Sequence, residues 1–248
     1  MKHKKDLSVI DETGGRYDEI IFSTDYVPSG IYRYQIEKRN EIIRKFLKQE
    51  KETILDLGCG SGFHLPVLRE KCHHLIASDI SRKALLNAKR KYDNDKGGKI
   101  SFVVCDATQL PFEDESIDFV WLSGVLHHIP PEIQNCLAEV SRVTKDNGEV
   151  LINEPNYFNL INHINMKLSK ADPTGKERPL RSDRIRKVLI KNNFSHIEVY
   201  HHGFIAPLTV PFIRFKFLIN ILERVDRLFE NTPLHRLCLR WTIHAKKG

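Results

Sequence analysis

Thr53-Ile54-Leu55-Asp56-Leu57-Gly58-Cys59-Gly60-Ser61-Gly62-Phe63 decides how the rest of the 248-residue chain is read. Thr53 to Leu57 is apolar apart from Asp56, the composition of a central parallel strand buried on both faces. Gly58, Gly60 and Gly62 free the backbone for a tight turn and for close approach of a ligand. Phe63 to Glu70 continues with helical spacing, so its first turn offers N–H groups and the positive end of a dipole to whatever rests on the glycines. A dinucleotide turn wants G-x-G-x-x-G with the pyrophosphate on the helix start. Here Phe63 stands where the third glycine of that pattern belongs. Asp56, two residues before the first glycine, would oppose a pyrophosphate and suits a cationic ligand.

Working outward, strand and helix patterns alternate. Leu75 to Ser78 reads as a second strand ending in Asp79, and Ser81 as the cap of a helix over Arg82 to Tyr92. Ile100 to Val104 is a third strand that ends at Cys105-Asp106. Ile117 to Ser123 is a fourth, Pro131 to Val143 a helix opened by proline, Asn147-Gly148 a turn, and Glu149 to Asn153 a fifth strand. Tyr34 to Gln49 has helical spacing ahead of the glycine turn. Asn156 to Arg181 is less regular, and Ser182 caps a helix over Asp183 to Asn193. His196 to His201 and Cys238 to Ala245 alternate as strands, with an amphipathic stretch, Phe212 to Phe229, between them. This alternation predicts a doubly wound α/β sheet, mostly parallel.

Composition narrows the class. The 41% hydrophobic content is ordinary for a globular chain, and no stretch reaches the roughly 18 apolar residues of a membrane span. The basic start is followed only by the short apolar run Leu7 to Ile10, too short for a signal-peptide core, which places the protein in the cytoplasm. Five scattered cysteines without C-x-x-C spacing argue against a disulfide framework and a zinc site. The net charge of +7 is uneven: residues 156–248 hold 17 Lys and Arg against 7 Asp and Glu. That basic third attracts anionic partners.

The glycine string resembles motif I of the class I S-adenosylmethionine-dependent methyltransferases, D/E-x-G-x-G-x-G. Further stretches resemble that family in order: Leu110-Pro111-Phe112 with Ser116-Ile117-Asp118, then Val125-Leu126-His127-His128-Ile129, then Glu139-Val140-Ser141-Arg142-Val143 with Asn147-Gly148-Glu149. The likeness covers about residues 34–155 and is closest to the broad type 11 group. It implies a seven-stranded Rossmann-like sheet whose last strand is antiparallel, with S-adenosylmethionine as cofactor. Carried onto this chain, it places Asp56, Gly58, Cys59, Gly60 and Gly62 around the donor, and Asp79 with Ile80 at the ribose. Asp106 with Ala107 falls at the adenine, Ser123 at the fourth strand end, and Tyr17 and Tyr34 in an N-terminal lid. The whole chain, 1–248, then reads as one domain: lid and helix over 1–50, cofactor core over 51–155, and an acceptor side over 156–248 with an insertion at about 203–236.

Methyl transfer needs alignment and, for some acceptors, removal of a proton. His127, His128 and Glu154 are the candidates for that proton, and Asn153 and Asn156 for orienting a polar substrate. The fourth strand ends Leu122-Ser123-Gly124-Val125 and not in the N/D-P-P-Y/F of amide or adenine methylation. No paired acids suggest a magnesium site, so no metal is expected. The acceptor is read as a small molecule or a lipid-like anion, and Pro207 to Leu222 reads either as part of a substrate cap alone or as a stretch that also meets a membrane surface or a lipid-like acceptor. The alternatives are an RNA-modifying enzyme using the basic third, although no separate RNA-binding motif is visible, and a cofactor-binding protein without turnover.

Overall fold

The computed structural model describes residues 30–92, 100–168, 176–204, 216–230 and 232–248. The strands are β1 (Lys51–Leu57), β2 (Cys72–Asp79), β3 (Ile100–Val104), β4 (Ile117–Ser123), β5 (Thr144–Pro155), β6 (Phe194–His202) and β7 (Arg240–Lys247). The helices are α1 (Gly30–Phe46), α2 (Leu65–Arg69), α3 (Arg82–Tyr92), α4 (Ile133–Val143), α5 (Leu160–Leu168), α6 (Ser182–Lys191) and α7 (Lys216–Glu230). One sheet runs β3-β2-β1-β4-β5-β7-β6. β7 is antiparallel to both of its neighbours, and the other described pairings are parallel. The expected seven-stranded, mostly parallel sheet is the observed one.

Both faces of the sheet are covered, which is why the buried end of β1, Ile54 to Leu57, is apolar apart from Asp56. Leu55, Val120, Leu122, Val150, Ile152, Trp241 and Ile243 point to the face packed by α4 and α6. Ile54, Phe119, Trp121 and Leu151 point the other way, onto Ile42, Ile43 and Leu47 of the α1 region and Leu65 and Leu68 of α2. The chain leaves β1 toward β2 and β3 on one side, then returns to set β4 on the other. That reversal opens a crevice at the carboxyl ends of β1 and β4, where open α/β sheets bind ligands.

Several boundaries differ from those the sequence suggests. The Asn147-Gly148 turn lies inside β5: from Ile117↔Thr144 to Phe119↔Glu149 the register advances two residues on β4 and five on β5. Asn147 absorbs the irregularity with φ +62°. The cap of α6 is Arg181 in extended backbone, and Ser182 is already helical. The irregular stretch after Asn156 contains α5. Ser81 does cap α3, accepting the Ala84 N–H at 3.2 Å. Pro207 to Phe215 lies outside the described residues, Phe212 included.

One polar tie crosses the sheet. The Glu149 carboxylate on β5 accepts from Lys51 Nζ at the start of β1 and from His244 Nε2 on β7, the latter at 2.6 Å. His244 and Lys51 together hold its carboxyl down at about 2, from an ordinary 4.5, against the upward push of burial. A depressed carboxylate stabilises the fold above its unfolded pKa, and that stability is lost as pH falls through the folded value. Glu149→Gln should therefore lower stability by roughly 1 kcal/mol at neutral pH, after solvent screening. The difference from wild type should shrink between pH 4.5 and pH 2. Urea unfolding of both proteins across that range checks it.

Candidate active site

β1 runs straight into the glycine turn. The Gly58 and Cys59 N–H groups both donate to Ser78 O on β2, at 2.8 and 2.9 Å, which folds the turn back over the sheet edge. Gly58 has φ +76°, and a Cβ there would stand 2.3 Å from Val125 Cγ2, so only glycine fits beneath the loop after β4. Gly60 has φ +51° and open space where its Cβ would be, so this is where the backbone can meet a ligand.

Around the turn the strand ends bring their carboxylates together. Asp79, closing β2, accepts the Gly60 N–H through Oδ2 at 2.9 Å and the Ser81 N–H through Oδ1 at 2.8 Å. Ile80 follows it, half-buried. Asp106 closes β3 in a turn that accepts the Thr108 N–H and hydroxyl through Oδ1, both at 2.9 Å, with Ala107 between. Asp56 is buried, and its Oδ2 meets no hydrogen-bond partner among the described residues. Burial, and then the Asp79 carboxylate beside it, push the Asp56 carboxyl well above the usual carboxylate range. The buried Ser123 hydroxyl, at the end of β4, likewise meets no partner among the described residues. Cys59 is buried in the turn, its thiol pushed well up by burial and the neighbouring acids. Tyr17 lies outside the described residues, and Tyr34 is described only as backbone of α1.

The loop after β4 turns tightly over Leu126–His128 and Pro130–Glu132 before α4 begins. His127 Nδ1 lies 2.7 Å from Glu154 Oε2, and Glu154 Oε1 accepts the Val125 and Leu126 N–H groups at 2.8 and 2.7 Å. Burial and then His128 push the His127 imidazole down, outweighing Glu154 and Glu177. Burial would raise the Glu154 carboxyl, yet His127, Arg240 and the Leu126 N–H hold it below the ordinary range. A neutral imidazole beside a carboxylate donates its Nδ1–H and keeps Nε2 as an acceptor. Glu154 thus sets the tautomer of His127 and anchors the loop. The His127 and His128 rings stack at 4.0 Å, and His128 Nδ1 meets Glu177 Oε1 at 2.6 Å.

Glu177 is the site residue that sequence reading missed. His127, His128 and Glu177 each bring one donor atom to within 4.8 Å of the others, a set able to chelate a cation, although no metal was expected. Asn153 and Asn156 are not free to orient a substrate. Asn153 Nδ2 donates to Thr242 Oγ1 at 2.8 Å, and its Oδ1 accepts from Arg240 Nε at 2.7 Å. Asn156 Nδ2 donates to Arg236 O and Cys238 O, both at 2.8 Å. Both side chains tie β5 to the stretch around β7.

Residues 55–152, the glycine turn through β5, match the family model of a methyltransferase domain. Over these residues the chain is similar to class I methyltransferases. A demethylmenaquinone methyltransferase of Clavibacter sepedonicus is 37% identical to this chain over 103 residues, which are 42% of this chain and 41% of that relative. The chain spans about half the length of the curated relatives it matches. Among solved structures, a Thermotoga maritima protein described as a possible histamine N-methyltransferase superposes with TM-score 0.68 at 14% identity, covering 98% of this chain and 99% of its own. Phosphoethanolamine N-methyltransferase 2 of Haemonchus contortus superposes with TM-score 0.66 at 19% identity, covering 97% and 59%. At these identities the superpositions establish the fold. No helix among the described residues is long and apolar enough to cross a membrane.

Methyltransferases of this class use S-adenosylmethionine, and the residues at the turn fit it. The molecule carries an ammonium and a sulfonium, and Asp56 offers a buried carboxylate oxygen that meets no partner among the described residues.

Proposed function

We propose that the protein transfers the methyl group of S-adenosylmethionine to a small-molecule or lipid-like acceptor. The observation that carries this reading is Asp56 Oδ2, buried behind the turn and without a hydrogen-bond partner among the described residues. A cation there would bring the raised Asp56 carboxyl back into the ionised range. In this assignment Asp56, with the backbone of Gly58, Cys59, Gly60 and Gly62, holds the amino-acid end of the donor. Asp79 with Ile80 takes the ribose hydroxyls, Asp106 with Ala107 the adenine edge, and Ser123 lines the methyl side. Tyr17 and Tyr34 belong to the lid, and the whole chain works as one domain with residues 156–248 on the acceptor side. When bound, the cofactor supplies an electrophilic methyl group on a good leaving group.

The protein's own task is to align the acceptor and exclude water. The His127–His128 pair sits one turn beyond Ser123, on the side that the acceptor would approach. His128 faces solvent on one edge and Glu177 on the other, so it takes a proton from an acceptor that carries one. Glu154 is a positioning residue that acts through His127.

Titration calorimetry tests the cofactor directly. S-Adenosylhomocysteine should bind with one site per chain, and NAD should give no heat. Tight NAD binding with no response to the homocysteine ligand would overturn the assignment.

A further inference from the structure

Large apolar side chains exposed one at a time are ordinary on a protein surface; a contiguous group is not. Six of the twelve large apolar residues exposed among the described residues fall in two short segments: Tyr157, Phe158, Leu160 and Ile164 in one, Leu234 and Leu237 in the other. The two segments are fastened together. Asn159 Nδ2 donates to Leu237 O at 2.8 Å, and Asn162 Nδ2 donates to Leu239 O at 2.6 Å. Leu160 and Ile164 lie one turn apart on α5, so they share a face, 71% and 48% exposed. Tyr157 meets Phe158 edge-on at 5.6 Å, extending that face past the helix start.

The charge around this patch has one dominant sign. The Arg181 guanidinium lies 5.4 Å over the Phe158 ring. Lys167 follows Ile164 on α5, Lys176 and Arg178 lie in the segment that leads to Leu180, and Arg236 stands between the two exposed leucines. The patch also adjoins the candidate site. Residues 176–180 are held to the end of β5 by Leu180 N–H to Pro155 O at 2.9 Å, and to the histidine loop by Arg178 N–H to His127 O at 3.3 Å. Glu177, in that segment, is the residue against His128.

An apolar face with a basic rim at the carboxyl edge of the sheet is what an anionic lipid surface recognises. We propose that the patch formed by residues 157–164 and 234–237 docks the protein on the surface of an anionic membrane. This surface is separate from Pro207–Leu222, the stretch for which membrane contact was expected. It rests on the methyl-transfer reading only in its purpose, which is to bring a lipid-like acceptor to the His128 side of the site.

Co-sedimentation with vesicles tests the docking by itself. One set is phosphatidylcholine alone, and the other is equal phosphatidylcholine and phosphatidylglycerol. The wild type should pellet with the anionic vesicles at low salt, less so as salt rises. Leu160→Asp/Ile164→Asp should reduce the bound-to-free ratio by roughly tenfold or more, whereas Leu86→Asp, at an exposed position on α3, should leave it unchanged. Wild type remaining in the supernatant overturns the proposal, as does a double variant that binds like wild type. Self-association in sedimentation velocity that the double variant abolishes, with no vesicle binding, assigns the patch to a second copy and also overturns it. S-Adenosylhomocysteine binding by the same preparations shows that the variants are folded. Its loss from the wild type would count against the methyl-transfer reading and leave the vesicle result standing.

Discussion

Glu154→Ala is expected to lower folding stability by at least about 3 kcal/mol, because each buried donor left without an acceptor costs about 1–3 kcal/mol. The carboxylate is fully buried and meets three donors: the Val125 and Leu126 N–H groups and His127 Nδ1. Alanine leaves all three without an acceptor at the centre of a loop that also covers Gly58. Glu154→Gln keeps the volume and one acceptor oxygen, so it should cost less, roughly 1–3 kcal/mol. Urea unfolding curves give both values. Because the Glu154 carboxyl is held below its ordinary value, the wild-type advantage should be present at neutral pH and lost as pH falls through the folded pKa. An unchanged unfolding midpoint for the alanine variant would show that the loop does not depend on this anchor.

Asp79→Ala should weaken S-adenosylhomocysteine binding by about a hundredfold or more. Two charge-assisted hydrogen bonds to a ribose would be worth about 1.5–3 kcal/mol each, and each 1.4 kcal/mol is a factor of ten. The same carboxylate also accepts the Gly60 and Ser81 N–H groups, so its loss loosens the turn as well as the ligand. The fold should persist, because Asp79 closes a strand and lies outside both apolar clusters. Calorimetry on the purified variant decides it, and affinity within a few-fold of wild type would mean that the ribose is held elsewhere.

The sheet and the gathering of its strand ends were legible in the sequence for a topological reason. In a doubly wound sheet the ends of successive strands lie side by side, so Asp56, Asp79, Asp106 and Ser123 could be grouped once their strands were recognised. What the sequence hid depends on contacts between distant segments. Glu177 stands in a polar stretch with no periodicity, and only the backbone tie from Arg178 to His127 brings it to His128. Asn153 looked available until β7 paired with β5 and placed Thr242 and Arg240 beside it. Turn chemistry at Asn147-Gly148 was read correctly as a break in extended chain, but strand pairing continues on both sides of it, so β5 is longer than its apolar core.

The place of β7 has a consequence for how the molecule is made. β6 leaves the ribosome before the strand that must lie between it and β5. Until residues 240–247 emerge, β5 is an uncovered edge and β6 has no neighbour in the sheet. Lys247 then closes the seam, its Nζ donating to Thr144 O at the base of β5. The β1–β5 half can assemble during synthesis, but it waits with an apolar edge exposed, the condition under which nascent chains attract chaperones or one another. Slowing translation over the segment between β6 and β7 should therefore lower the soluble yield without changing the finished protein.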